Sequence, residues 1–358
     1  MKVVGFGDNV VDRYVNKQIF FPGGNCVNFS VYAGKVGVPS AYLGMFGDDR
    51  EARVIQSALA ELGVDLSMCR TEADTVTERC DVNLVDGDRV FAGDDERENI
   101  HGPLVLTEKD LAYLSEFDLI HSGCYAGEEE ELKKLAPLGR LVSFDFSAED
   151  EYRSDEYLGN VCPYVDFALF SCEKMTRKEI EALHEKVHGL GTQYVMATMG
   201  VKGQILYDGK NFYDGHVETL EPVDTMGAGD SFFTAFLMTL LKEGWSKGTQ
   251  LNQASIEKAF RFAAGFSAET CLVSGAFGFS ESYGDADIIL RSSCIFTAEK
   301  DGTTDGIIAI RGNKILAVGR PEDMYAFLTG ETKVYDLGDK TVTPGFVDNH
   351  VFFTGYVW

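Results

Sequence analysis

Asp224-Thr225-Met226-Gly227-Ala228-Gly229-Asp230-Ser231-Phe232-Phe233 decides how the rest of the chain is read. Gly227, Ala228 and Gly229 keep side-chain bulk off the backbone, and the apolar run 232–241 reads as a buried helix closed by Gly244 as its C-terminal cap. A helix that starts at so bare a turn presents unpaired N–H groups and the positive end of its dipole, which makes an anion site. Asp230 stands in that site, and a carboxylate there has two readings. It caps the helix, or it takes the proton of an attacking hydroxyl while the N–H groups of Gly227, Ala228 and Gly229 stabilise charge on a transferred phosphoryl group. No Gly-x-x-x-x-Gly-Lys-Ser/Thr occurs in the chain, so this is not a Walker A loop.

The length of 358 residues suits one large domain with a smaller addition. With 45% hydrophobic and 25% charged residues, the composition is that of a globular protein. Lys and Arg number 32 against 57 Asp and Glu, and the net charge of −25 argues against nucleic acid or an anionic membrane as partner. An anion such as ATP must then be held by local N–H groups and metal. The eight cysteines, scattered without a Cys-x-x-Cys pair, are expected as reduced thiols. The chain opens on strand-like Lys2-Val3-Val4-Gly5-Phe6-Gly7 without a signal-peptide pattern, and no apolar run has the length of a membrane span. The expected location is the cytoplasm.

Up to about residue 280, strand-like and helix-like segments alternate, which predicts an α/β sandwich around a largely parallel sheet. Strands are expected over 2–6, 41–46, 118–121, 140–146, 165–170 and 194–198, and helices over 25–36 and 50–62. Thr107-Glu108-Lys109-Asp110 and Thr176-Arg177-Lys178-Glu179 carry capping residues of helix starts. Segments 79–85 and 89–92, joined by Asp86-Gly87-Asp88, read as a hairpin and hence as a small β lid, to which 10–21 would add a strand. The run Asp94-Asp95-Glu96-Arg97-Glu98 reads as a solvated loop. Composition shifts at 283–287, after which short strands over 288–296, 306–311, 314–318, 333–336 and 341–347 predict a β-rich unit. The expected domains are 1–284 and 285–358.

Phe21-Pro22-Gly23-Gly24-Asn25-Cys26-Val27-Asn28 places two asparagines three apart on one face of a helix start. Their carboxamides suit sugar hydroxyls, and a glycine-rich turn with an asparagine cap would read the same way. Gly7-Asp8-Asn9-Val10-Val11-Asp12 leaves the first strand with two carboxylates, of which Asp8 fits a plain turn as readily as a ligand contact. Thr198-Met199-Gly200-Val201-Lys202-Gly203 is a further glycine-bearing turn.

The pattern Asp-Thr-x-Gly-Ala-Gly-Asp at 224–230 resembles the C-terminal signature of the ribokinase-like (PfkB) carbohydrate and nucleoside kinases, and Gly23-Gly24-Asn25 resembles their N-terminal signature. The resemblance covers about residues 1–280. It implies a ribokinase-like sandwich with a β lid, ATP and Mg2+ as cofactors, and a small sugar or sugar-amine as acceptor. It makes Asp230 the base, gives Asp8, Asp12, Gly24, Asn25 and Asn28 to the sugar, and gives Thr198, Gly200, Gly203, Thr225, Gly227 and Gly229 to the nucleotide. The Asn-x-x-Glu that the family often carries near magnesium is here Ser171-Cys172-Glu173-Lys174, without the asparagine, which leaves Glu173 as the metal candidate. Flap-mediated dimers occur in the family and imply a homodimer through the lid.

Within the family, Asp88-Arg89-Val90-Phe91, Ser143-Phe144-Asp145-Phe146-Ser147 and the runs at 7–12 and 21–25 look like those of fructoselysine 6-kinases. That implies phosphoryl transfer to the 6-hydroxyl of a fructosamine, with Arg89 either reaching its amino-acid part or exposed on the lid. The alternatives are the same chemistry on fructose, ribose or adenosine, and a ligand-sensing pseudokinase. Stretches 306–315 and 343–350 resemble the opening segment of metal-dependent amidohydrolases. His350-Val351-Phe352 lacks the second histidine of their His-x-His, so this part reads as a truncated remnant and not as an active hydrolase.

Overall fold

The first strand, β1 (Val3–Phe6), places Val3 in one apolar cluster and Val4 in another. The same split separates Leu119 from Ile120, Leu141 from Val142, Phe167 from Ala168 and Tyr194 from Val195. Successive strand side chains point to opposite faces, so strands apolar at every position must be covered on both sides.

The computed structural model describes residues 1–345 other than 86, 94–96, 219, 299–301 and 330. The chain divides into Met1–Ser280 and a second unit beginning at Glu281. After β1 come β2 (Val10–Tyr14), β3 (Ile19–Gly23), α1 (Asn25–Lys35), β4 (Ser40–Leu43), β5 (Met45–Phe46), α2 (Arg50–Glu61), β6 (Arg70–Thr71), β7 (Glu78–Val85) and β8 (Asp88–Gly93). Then follow α3 (Glu108–Leu114), β9 (Leu119–Gly123), α4 (Glu129–Leu135), β10 (Leu141–Asp145), α5 (Asp155–Val161), β11 (Phe167–Ser171) and α6 (Arg177–Gly189). The first unit ends with β12 (Tyr194–Thr198), β13 (Gln204–Tyr207), β14 (Phe212–Gly215), α7 (Ala228–Lys242) and α8 (Gln253–Thr270).

The main sheet has the order β14-β13-β12-β11-β10-β9-β1-β4. Pairing is parallel from β4 to β12 and antiparallel for β13 and β14. Residues of α1, α7 and α8 fill the cluster on one face, and residues of α3 to α6 fill the other. Thr107 and Thr176 both close capping boxes, with Asp110 and Glu179 returning the bond. The expected strand over 41–46 is broken at Gly44 into β4 and β5, and α8 and the β13–β14 hairpin were not read from the sequence. Because the parallel strands share a direction, Asp8, Asp145, Glu173 and Thr198 collect at their C-terminal edge, where open α/β sheets bind ligands.

The lid strands run β3-β2-β7-β8, two antiparallel hairpins joined by a parallel β2–β7 pair. Segment 10–21 thus gives two lid strands instead of one, because a turn at 15–18 folds it back on itself.

The second unit contains β15 (Glu281–Ser282), β16 (Ile288–Ile295), β17 (Thr304–Arg311), β18 (Lys314–Gly319) and β19 (Lys333–Asp336). Its sheet, β18-β17-β16-β19, packs Ile289, Ile307, Ala309 and Phe327 into a small core. The strand expected over 341–347 reduces, among the described residues, to one bridge between Val342 and Ile295. His350 and the rest of 346–358 lie outside the described residues, as do 94–96 of the charge run.

Candidate active site

Gly227 opens α7 in the left-handed conformation at φ 73°, and a Cβ there would stand 2.3 Å from the Tyr32 hydroxyl. Glycine is required on both counts. The helical ladder starts with Ser231 N–H donating to Gly227 O at 2.8 Å. Among the described residues the N–H groups of Gly227 and Gly229 have no partner. Ala228 departs from expectation. Its N–H closes the preceding turn on Thr225 O at 3.2 Å, so two of the three expected N–H groups remain for an anion.

Asp230 lies in the first turn of α7, and α1 aims it from across the cleft. Asn25 Nδ2 donates to one carboxylate oxygen at 2.9 Å and Asn28 Nδ2 to the other at 2.7 Å. Both oxygens thus take side-chain donors of another helix, so Asp230 is not a plain cap of its own. The two asparagines, expected on sugar hydroxyls, give their N–H groups to carboxylates instead. Asn28 Oδ1 is buried without a partner among the described residues.

Asn25 is the hub of a network that the sequence did not reveal. Its Nδ2 also donates to Asp145 Oδ2 at 2.9 Å, and its Oδ1 lies 2.7 Å from His121 Nε2. His121 Nδ1 lies 2.9 Å from Ser143 Oγ. Burial holds the His121 imidazole down to about 3, so it is neutral. Its hydrogen sits on Nε2, facing the amide oxygen, and Nδ1 accepts from Ser143. Asp145 ends β10, and its other oxygen takes Ser147 N–H at 2.8 Å. Burial, and then the Asp230 charge, push the Asp145 carboxyl to about 7. Its place at a strand end on the ligand edge was the available signal.

Asp12 reaches the cleft from β2, 5% exposed and without a hydrogen-bond partner among the described residues. Burial pushes its carboxyl up to about 7 against the pull of Arg89. Burial also raises Asp230, opposed by the Asn28 hydrogen bond and the Arg89 charge. Arg89 Nη1 lies 3.1 Å from Met226 Sδ, so the guanidinium turns toward the glycine loop between Asp12 and Asp230. Asp8 lines the cleft as expected, yet its oxygens accept the N–H groups of Asn25 at 2.7 Å and Cys26 at 3.1 Å. It caps α1 and fixes the turn at Gly24.

Thr225, expected at the nucleotide, anchors the lid. Its N–H donates to Gly87 O at 3.2 Å and its hydroxyl to Asp88 at 3.0 Å. Gly87 has φ 80°, and a Cβ there would meet Pro222 O at 2.6 Å. Asp224, fully buried, gathers Tyr14 O–H and Gly275 N–H, each at 2.8 Å, and Met226 N–H at 3.1 Å. Lid strand β2 is thereby tied to the loop that carries the free N–H groups.

The cleft measures about 1300 Å³ and is also lined by Gly24, Thr198, Gly200 and Glu173. Gly203 does not line it; its N–H closes the turn on Gly200 O at 3.2 Å. Val201, Val217, Leu220 and Ala264 add an apolar wall that suits a purine ring. Free N–H groups, room and this wall fit ATP. Among the described residues no group of three or more His, Cys, Asp or Glu could hold a metal ion. A lone Glu173 fits a magnesium ion held mainly by phosphates and water. All eight cysteines are unpaired. Among the described residues no helix is long and apolar enough to cross a membrane.

A family model described as pfkB family carbohydrate kinase matches residues 1–281. The chain is 36% identical over 289 residues to the fructosamine kinase FrlD of Bacillus subtilis, covering 79% of this chain and 95% of that one. It is 36% identical over 251 residues to the fructoselysine 6-kinase of Escherichia coli, covering 69% of this chain and 90% of that one. A solved Arabidopsis thaliana ribokinase complexed with ribose and ATP has the same fold, with a TM-score of 0.60 at 22% identity over 77% of this chain and 93% of that one.

Proposed function

The chain belongs to the pfkB family of carbohydrate kinases, and from that premise we propose that it transfers the γ-phosphoryl group of ATP to the 6-hydroxyl of a fructosamine such as fructoselysine. One observation carries the chemistry. A carboxylate held on both oxygens by asparagine amides stands beside two unpaired N–H groups at a helix start. The choice of acceptor is supported by the two relatives whose names specify fructosamine and fructoselysine.

In the proposed mechanism the acceptor lies under the lid, with Asp12 taking hydrogen bonds from its hydroxyls. The 6-hydroxyl donates to Asp230. Its oxygen forms a bond to the γ-phosphorus as the bond to the leaving β-phosphate oxygen breaks, and the hydroxyl proton passes to Asp230. The N–H groups of Gly227 and Gly229, with the Arg89 charge, meet the negative charge on the moving group. Thr198, Gly200 and the apolar wall hold the nucleotide. Magnesium, when bound, neutralises the phosphates, and Glu173 would hold it through water. A lid anchored at Thr225 keeps water from replacing the acceptor.

An ADP-release assay with fructoselysine, fructose, ribose and adenosine tests the reading. The highest kcat/KM is expected for fructoselysine. A higher value for any of the other three would replace the acceptor, and ATP binding without turnover on all four would make the chain a sensor.

A further inference from the structure

Strand β9 carries a histidine into the apolar layer between the sheet and the helices α1 and α7. His121 is 1% exposed, with its ring stacked on Phe29 of α1 at 4.4 Å and edge-on to Phe233 of α7 at 5.8 Å. Burying an imidazole in such a layer is costly unless its nitrogens are matched. Both are matched here: Nδ1 faces Ser143 Oγ at 2.9 Å, and Nε2 gives its hydrogen to Asn25 Oδ1 at 2.7 Å. A histidine that served packing alone could end on any acceptor. This one ends on the amide that bridges Asp145 and Asp230.

The orientation of that amide decides what the two carboxylates receive. With its oxygen held by the imidazole N–H, both hydrogens of Nδ2 are left for Asp145 and Asp230, each at 2.9 Å. A flipped amide would set its NH2 against the imidazole N–H and its oxygen against the carboxylates. Gly123, at the end of the same strand, clears the space for the oxygen: a Cβ there would stand 2.9 Å from Asn25 Oδ1. His121 itself does not line the cleft.

We propose that His121 is a positioning residue for the phosphoryl transfer, acting through Asn25 to keep the amide N–H on Asp230 and so to set the direction and basicity of the base. The inference rests on the reading of Asp230 as base and deepens it. The Asn25 bond favours the charged carboxylate, so its loss raises the Asp230 carboxyl further. Around Asp230 stand Asn28 and Tyr32 from α1, Asp8 from the turn before β2, Asp12 from β2, Arg89 from β8 and Asp145 from β10. A substitution at 121 changes none of these groups, and of them Asp145 shares the Asn25 amide.

Three variants test it, with kcat at saturating ATP and acceptor followed across pH and a thermal melt to check the fold. His121→Phe keeps the ring contacts and removes the N–H. His121→Gln keeps an N–H for Asn25. Gly123→Ala leaves the imidazole in place and crowds the amide oxygen. His121→Phe and Gly123→Ala are expected to lower kcat about tenfold, the worth of one hydrogen bond in the transition state, with the KM for ATP changed little. In both, the acid fall of kcat should move to higher pH, because kcat reports the groups of the bound complex. His121→Gln is expected to keep kcat within about threefold of the parent and the acid fall in place.

A folded His121→Phe with the kcat and acid fall of the parent overturns the inference. So does a loss of kcat with the acid fall unmoved, which is what a packing defect gives, or a His121→Gln no better than His121→Phe. Should His121→Phe fail to fold, Gly123→Ala decides by the first two outcomes. In all these cases Asp230 still stands as the base, which fails separately if Asp230→Asn keeps its turnover, and that result overturns both.

Discussion

Replacing Asp230 by asparagine removes the proposed base with almost no change of shape. Both oxygens of Asp230 accept from amide nitrogens, Asn25 Nδ2 and Asn28 Nδ2. An asparagine must therefore turn one NH2 against a donor, a mismatch worth about 1–3 kcal/mol. The opposing effect is that burial disfavours the Asp230 charge, so removing it relieves the fold. The two act in opposite directions, and at about 2–4 °C per kcal/mol in a domain of this size the melting temperature should fall by no more than the mismatch alone would take, about 2–12 °C. Turnover has no such compensation. Loss of a general base costs at least about a hundredfold in kcat, about 2.7 kcal/mol of barrier, while the KM for ATP should barely change. Coupled ADP release at saturating acceptor, with a thermal melt of the same sample, reads all three quantities. A folded variant that keeps kcat within about threefold of the parent would refute the mechanism, because a base contributes far more than that.

Other outcomes follow from the same contacts. Asp145, held at about 7 instead of the usual 3.8, favours folding while protonated, so roughly 4 kcal/mol of stability present below about pH 4 is lost as pH rises to about 7. Asp145→Asn should therefore melt progressively higher relative to the parent between about pH 4 and pH 7, and a gap independent of pH would contradict the shift. Because burial raises the Asp230 carboxyl, and pushes the acceptor-binding Asp12 up to about 7, kcat/KM should fall as pH drops and these groups take up protons, and a profile rising toward acid would exclude a carboxylate base. Asp224→Asn sets an NH2 against one of three donors in a fully buried site, for about 2–3 kcal/mol of lost stability in a denaturant titration. Gly87→Val should push the lid tip off Pro222, raising the acceptor KM roughly threefold or more together with acceptor-free ATP hydrolysis.

Much of the layered fold was legible because its causes are local. Thr107 and Thr176 announce helix starts through residues three positions on, and Asp86-Gly87-Asp88 marks a hairpin by its turn chemistry. The glycine loop at 227–229 was legible for the same reason. What escaped depends on partners far apart in the chain. His121, Asn25 and Asp145 meet across separations of 96 and 120 residues, and no spacing rule reports that. The same limit applies to Asn25 and Asn28: their spacing fixes a common face, while only the tertiary packing of α1 against α7 shows that the face looks at Asp230. Asp8 and Thr225 line the cleft as read, but their bonds go to a helix end and a lid tip.

The anchoring of the lid by Thr225 has a thermodynamic corollary. The residue that grips the hairpin tip belongs to the loop whose free amides, in the proposed mechanism, receive the donor phosphate, so one residue joins the lid to the phosphate loop. Such linkage is reciprocal: whatever factor the nucleotide adds to acceptor affinity, the acceptor returns to the nucleotide. Where that factor exceeds one, the phosphate donor is held more loosely in the absence of the acceptor than in its presence.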